Sequence, residues 1–199
     1  TTSAVHGVEG YYGSACQSAW LATHTLKDLP KDCGIVFIHA MNPYGFAYNR
    51  RVTHEGVDLN RNFRDFSKFI PENVGYSALA DSLVPRTWAG DIRNAADDIL
   101  AAAKAHAPEK FQAAVSAGQY HHPKGVFYGG TAPTWSHQTF GDIYDAFIAP
   151  TAENIIHIDF HTGWGDYGNL EAYSIVGKTE PNHVRAHNYF SHVMPVMPS

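Results

Sequence analysis

Cysteine is nearly absent: Cys16 and Cys33 are the two in 199 residues. Two thiols make no disulfide framework, and their spacing is not that of a zinc ribbon. Both read as buried free thiols, with a Cys16–Cys33 bridge open only in an oxidising compartment. Charge is scarce as well, at 17% Asp, Glu, Lys and Arg, against about 25% in an average globular protein. Disordered chains are charge-rich and poor in aromatics, so a chain that is 13% aromatic argues against disorder. There is no basic excess either. Fourteen Lys and Arg against 19 Asp and Glu leave a formal charge of −5, where a nucleic-acid binder usually presents a basic face. No apolar run reaches the roughly 18 residues of a membrane span.

What the chain has is histidine, 13 residues, almost as many as Lys and Arg together. Histidine is the commonest metal ligand and the usual proton shuttle near neutral pH. Apolar residues make up 44%, enough to bury a core in one domain of this length. The sequence opens at Thr1-Thr2-Ser3 and closes on Met194-Pro195-Val196-Met197-Pro198-Ser199 with no closing secondary structure. Both ends read as cuts through a larger domain, giving the expectation of a single domain over 1–199, incomplete at both ends. With no targeting signal in view, the cytoplasm is the expected compartment.

Local patterns give the elements. Ala4-Val5 reads as a strand end. Residues 13–29 carry Cys16, Ala19, Trp20, Thr23 and Leu26 at helical spacing, with Ser14 as N-cap. Residues 34–39 (GIVFIH) and 155–160 (IIHIDF) read as strands buried on both faces, and Glu171–Val176 as a further strand. Residues 40–75, rich in Asn, Pro, Gly and Arg, read as a long functional loop. Residues 91–106 put Ile92, Ala95, Ala96, Ile99, Leu100 and Ala103 on one helical face. Pro108 opens a second helix to about Ala117, 118–135 is loop, and 136–149 is a helix capped by Ser136. Strands alternating with helices imply an α/β fold with a mixed, largely parallel central sheet flanked by helices.

Ligand-type residues follow strand ends, where sites form in open α/β sheets. His6 and Glu9, three apart, point the same way on a turn, and His161 follows the strand ending Ile158-Asp159-Phe160. Two imidazoles and a carboxylate make the three protein ligands of a catalytic zinc, one ion with an open position for water. Taken alone, His-x-x-Glu also fits a surface turn, and His161 a buried histidine bonded to a carbonyl. Asp58 reads as a hydrogen-bonding residue that orients its loop, and strand alternation reads Asp159 as turned away. His121-His122 reads as solvated loop, Tyr120, Phe127, Tyr128, Trp135 and Trp164 as packing their loops down or else lining a substrate cleft, and His183, His187 and His192 as a surface helix.

Between the ligands lie Asn42-Pro43-Tyr44-Gly45, Arg50-Arg51 and Asp58-Leu59-Asn60-Arg61-Asn62. His-x-x-Glu, Asn-Pro-x-Gly, an Arg upstream of Asp-x-Asn-Arg-Asn, and a strand ending in His come in the order and approximate spacing of the zinc carboxypeptidase A superfamily, which the chain resembles over nearly its whole length. Stretches such as HGVEGYYGSA, GQYHHPKGVFYGGTAPTWS and IDFHTGWGDYG are similar to an uncharacterised bacterial branch of it.

The resemblance implies a carboxypeptidase-like α/β/α sandwich and a zinc-activated water mechanism cleaving a peptide or amide bond next to a free carboxylate. It makes His6, Glu9 and His161 the zinc ligands and Asn60 with Arg61 the holders of the substrate carboxylate. Arg51 becomes the arginine that polarises the scissile carbonyl, with Arg50 as fallback. An Arg fork binds carboxylate bidentately, and a second Arg can stabilise an oxyanion. The partner expected is a peptide or N-acyl amino acid, with no nucleic acid or membrane. The chain departs from the family at the general base: neither Glu171 nor Glu180 matches its place, which falls beyond Ser199. Two alternatives stand beside the peptidase. One is an N-acyl amino acid deacylase of the aspartoacylase and succinylglutamate-desuccinylase type, which the DFHTG segment resembles. The other is a non-catalytic zinc-bearing peptide-binding domain.

Overall fold

The computed structural model describes residues 1–195, which divide into two compact units, Thr1–Thr162 and a second from Gly163 on. Among the described residues there are eight α-helices and one small parallel sheet of two strands. This mixed helix-and-strand architecture is compatible with the α/β class, with less sheet than the sequence suggests.

In the first unit, Thr2 is the middle of three parallel extended segments, bridging Ile38 on one side and Asp159 on the other. The Thr2 N–H donates to Ile158 O (2.9 Å), the Ser3 N–H to Ile38 O (3.2 Å) and the Phe160 N–H to Thr2 O (3.2 Å). The segments 34–39 and 155–160 therefore run where strands were expected, but they pair by single bridges and are not buried on both faces: Ile155 and Ile156 are about half exposed. The centre of the unit is markedly polar. Thr2, Ser3, His6, Asn42, Asp58 and Asn62 are all buried, beside a small apolar cluster of Val5, Met41 and Leu59.

Helix α1 (Gly10–Thr23) covers the three segments. Its buried stripe is Gly10, Gly13 and Gln17 rather than the apolar set read from spacing. Glycine there permits contact with backbone: a Cβ on Gly13 would fall 2.7 Å from Ser3 Cβ and 2.9 Å from Phe160 Cβ, closer than carbon atoms approach. Gln17 accepts from Ser3 Oγ at 3.0 Å. Ser14 does not cap the helix; it lies inside it and bonds His39 Nε2. The helix also stops short of 29, because Thr25 and Asp28 form a capping box for a separate turn at Leu26–Asp28.

The long loop of 40–75 contains short structure. Asn42 caps α2 (Pro43–Tyr48) by accepting from the Gly45 N–H at 2.8 Å, and Pro43 fits its first position. After a tight turn at Leu59–Arg61 come α3 (Val74–Ser77) and α4 (Ala80–Leu83). Helices α5 (Gly90–His106) and α6 (Pro108–Ser116) lie where periodicity placed them. Their apolar face is mostly exposed, however, with Ala96 alone of the expected α5 set buried. Helix α7 (Trp135–Ile143) is capped by Thr134, not Ser136, and continues as a wider turn over Tyr144–Ile148. Both cysteines are free, and Cys33 is exposed rather than buried.

In the second unit, β1 (Ala172–Ser174) pairs in parallel with β2 (Val193–Pro195), Tyr173 opposite Met194. Between them runs α8 (Pro181–Ala186), the crossover a parallel pair requires. The expected unstructured close is overturned at Met194 and Pro195, which lie in β2; residues 196–199 fall outside the described residues. His183 is buried, not on the surface as read, while His187 and His192 are exposed. No helix among the described residues is long and apolar enough to cross a membrane.

Candidate metal centre

The end of the first extended segment delivers His6, which holds extended backbone and then enters the turn Gly7–Glu9. That turn brings Glu9 back under the imidazole, with His6 Nδ1 2.8 Å from Glu9 Oε1. The end of the third segment delivers His161, whose Nδ1 is 3.0 Å from Glu9 Oε2. The two rings meet edge to face at 5.0 Å. One atom from each of His6, Glu9 and His161 lies within 4.8 Å of the others, so the three could hold a metal ion. Two imidazole nitrogens and one carboxylate oxygen, drawn from separate segments, fit a divalent transition metal.

Each imidazole spends its far nitrogen on a second carboxylate. His6 Nε2 is 3.1 Å from Asp58 Oδ1, and His161 Nε2 is 2.6 Å from Asp159 Oδ2. Such partners fix the ring orientation of ligating histidines and raise their basicity. Asp58 does more than order its loop: it also accepts from Arg51 Nε at 2.8 Å and from the Asn60 N–H at 3.0 Å. Asp159 is corrected more sharply. It faces His161 because residues two apart on extended chain project to the same side, and the Thr2 hydroxyl donates to its other oxygen at 2.7 Å.

The electrostatics follow. Burial alone would raise the Glu9 carboxyl, but hydrogen bonds from His161, His6 and the Thr162 N–H outweigh it and hold it below the usual carboxylate range. Burial also opposes ionisation of Asp58, and His6 and Arg51 together pull it down to about 2. For His161, burial disfavours the charged ring, while Asp159 and Glu9 overcome it and raise the imidazole to about 9. At neutral pH the ionised Glu9 and Asp58 are thus balanced by the charged His161 ring and by Arg51, and a cation bound here would take the place of the His161 proton.

The other residues expected at the site are brought alongside. Arg51 Nη1 lies 3.6 Å from Glu9 Oε1, whereas Arg50 is exposed. Asn60 Nδ2 is 3.4 Å from His161 Nε2. Arg61 donates to Ser116 O (2.6 Å) and Asn60 O (3.2 Å), while its buried Nε has no partner. Asn62 was not singled out from the sequence, yet it anchors this corner. Its amide donates to Gly129 O and Ala132 O, both at 2.9 Å, and its oxygen accepts from the Thr134 N–H and hydroxyl.

The chain matches a family of proteins of unknown function, DUF2817, over residues 1–196. It belongs to that family. No curated protein and no solved structure matches it. In this DUF2817 chain, His6, Glu9 and His161 form the candidate metal-binding group.

Proposed function

We propose that this DUF2817 chain carries a single zinc ion on His6, Glu9 and His161 and belongs to a hydrolase of metallocarboxypeptidase type, cleaving a peptide or amide bond beside a free carboxylate. The supporting observation is the double carboxylate arrangement. Glu9 sits between two Nδ1 atoms, and both Nε2 atoms are held by Asp58 and Asp159, an arrangement that prepares ligands rather than merely burying histidines. Bound there, zinc would supply Lewis acidity and a water ionising near neutral pH. Arg51, 3.6 Å from Glu9, would donate to negative charge developing on the carbonyl oxygen. Asn60 and Arg61, whose guanidinium otherwise meets only backbone carbonyls, would receive the substrate carboxylate. The parallel run of segments 38, 2 and 159 supports the finer fold reading, a carboxypeptidase-like α/β/α sandwich.

A second reading, a zinc-bearing module that binds carboxylates without turnover, has its own observation. The three carboxylates that hydrogen bonding places at the centre are each committed to a histidine or arginine, so none of them is free to accept a proton. The test uses the intact, zinc-loaded protein with an N-acetylated dipeptide acid, its C-terminal amide and an N-acetyl amino acid. Cleavage of the acid at least about tenfold faster than the amide is expected, as a site built for a charged group discriminates strongly. Preferred cleavage of the N-acetyl amino acid would make the protein a deacylase. Binding of the acid without cleavage would leave the module.

A further inference from the structure

Three arginines of the 51–64 segment lie over aromatic rings of the 118–130 loop: Arg51 and Arg61 both over Phe127, at 5.0 and 5.8 Å, and Arg64 over Tyr120 at 4.7 Å. Guanidinium groups within about 6 Å of a ring centroid are attracted by its π face. Phe127 is unusual in its backbone too. Its φ is +56°, a region bulky side chains rarely occupy and one that persists where surrounding structure enforces it. The enforcement is visible on both sides of the residue. The Gln119 N–H donates to Phe127 O at 3.1 Å, the Asp58 N–H to the next carbonyl, Tyr128 O, at 2.7 Å, and the Tyr120 hydroxyl to Arg61 O at 2.6 Å. The loop is thus tied both to the aspartate that holds His6 and to Arg61 itself. The ring is half buried, leaving part of its surface open.

We infer that Phe127 is a positioning residue that fixes the separation of Arg51 from Arg61. Through that spacing it sets which substrates fit, namely acids whose carboxylate lies one fixed distance from the bond to be cleaved. This rests on the hydrolase reading for the roles of the two arginines. The two play unequal parts. Arg51 is committed to Asp58 and Glu9. Arg61 donates to backbone carbonyls and forms no ion pair among the described residues, so its charge is left for a ligand. A shared ring makes the position of Arg61 depend on that of Arg51 without neutralising Arg61, which an acidic side chain in the same place would do.

The test compares an N-acetyl dipeptide acid with its analogue lengthened by one methylene in the terminal residue, a β-amino acid. Affinity and turnover are measured on zinc-loaded protein for the native chain, Phe127→Leu and Phe127→Tyr. The native protein should prefer the α-acid by about tenfold or more in Kd and kcat/KM, the range one methylene can command. Phe127→Leu, keeping bulk and losing the π face, should bring that preference below about threefold by raising KM with kcat little changed. Phe127→Tyr should restore it, and zinc content should stay at one per chain in both. Upfield ring-current shifts of the Arg51 and Arg61 δ-protons, lost in Phe127→Leu, check the contact without any substrate. A Leu variant with native preference, or a Tyr variant that fails to restore it, overturns the inference. Cleavage by the native protein without α/β preference overturns this inference alone, whereas α/β preference in binding without cleavage overturns the hydrolase reading alone. A native protein that binds neither acid overturns both.

Discussion

The candidate metal centre and the α5–α6 helices are two regions of one unit built on opposite terms. At the centre most of the buried side chains are polar and hydrogen-bonded: Asp58 is wholly buried yet serves His6, Arg51 and the Asn60 N–H. Along α5 the apolar side chains are regular in sequence and largely exposed, Ile92 at 45% and Ile99 at 51%. Regular apolar spacing fixes where a helix forms; it does not say what the helix covers. Specificity of structure here lies in a polar network whose members come from positions 2, 6, 9, 58, 159 and 161.

Substitutions can break or sharpen that contrast. The largest effect is expected at His161→Ala in the intact protein: zinc, measured by elemental analysis, should fall from one ion per chain to a small fraction of it, and retention of a full equivalent would dismiss the ligand set. Next comes Asp58→Ala, which leaves His6 and Arg51 facing a void. Removing one partner of a buried ionic network costs 3–5 kcal/mol, and because Arg51 is partly exposed about 3 kcal/mol is expected, read from urea unfolding of the zinc-free protein. Arg61→Ala should keep zinc bound and weaken a carboxylate ligand by about 1.5–3 kcal/mol, the range for hydrogen bonds to charged groups, as calorimetry would show; unchanged affinity removes Arg61 from the site. Ile99→Ser should shift stability by less than about 0.5 kcal/mol, as exposed substitutions do. A loss several times larger would mean that the α5 face is covered in the working protein, and the contrast drawn here would collapse.

How far the sequence led differs along the same line. His6, Glu9 and His161 were legible as a group because ligand-type residues at strand ends stand out by residue type, and the structure brings the three together. Helices α5 and α6 were legible because their signal is local. Asp159 was misread, although the rule of two along an extended chain puts it beside His161. Asn62 was not singled out because its partners lie 67 to 72 residues away, and no local pattern announces a contact of that range. The α1 interface was misread because periodicity looks for apolar residues, whereas the buried stripe is made of two glycines and a glutamine that let backbones touch. Phe127 was read only as one of several loop aromatics: its positive φ is imposed by neighbours, not encoded by residue type.

The bond between Glu9 and His161 joins positions 152 residues apart. Closing a loop of that length costs on the order of 4–5 kcal/mol in chain entropy, so an ion held by both ends would work as a clasp on the whole first unit. During synthesis the N-terminal pair emerges long before its third member, and two ligands hold a metal far more loosely than three. Capture of the ion would then signal that the chain has been made and docked through residue 161, which ties the acquisition of chemistry to the completion of folding.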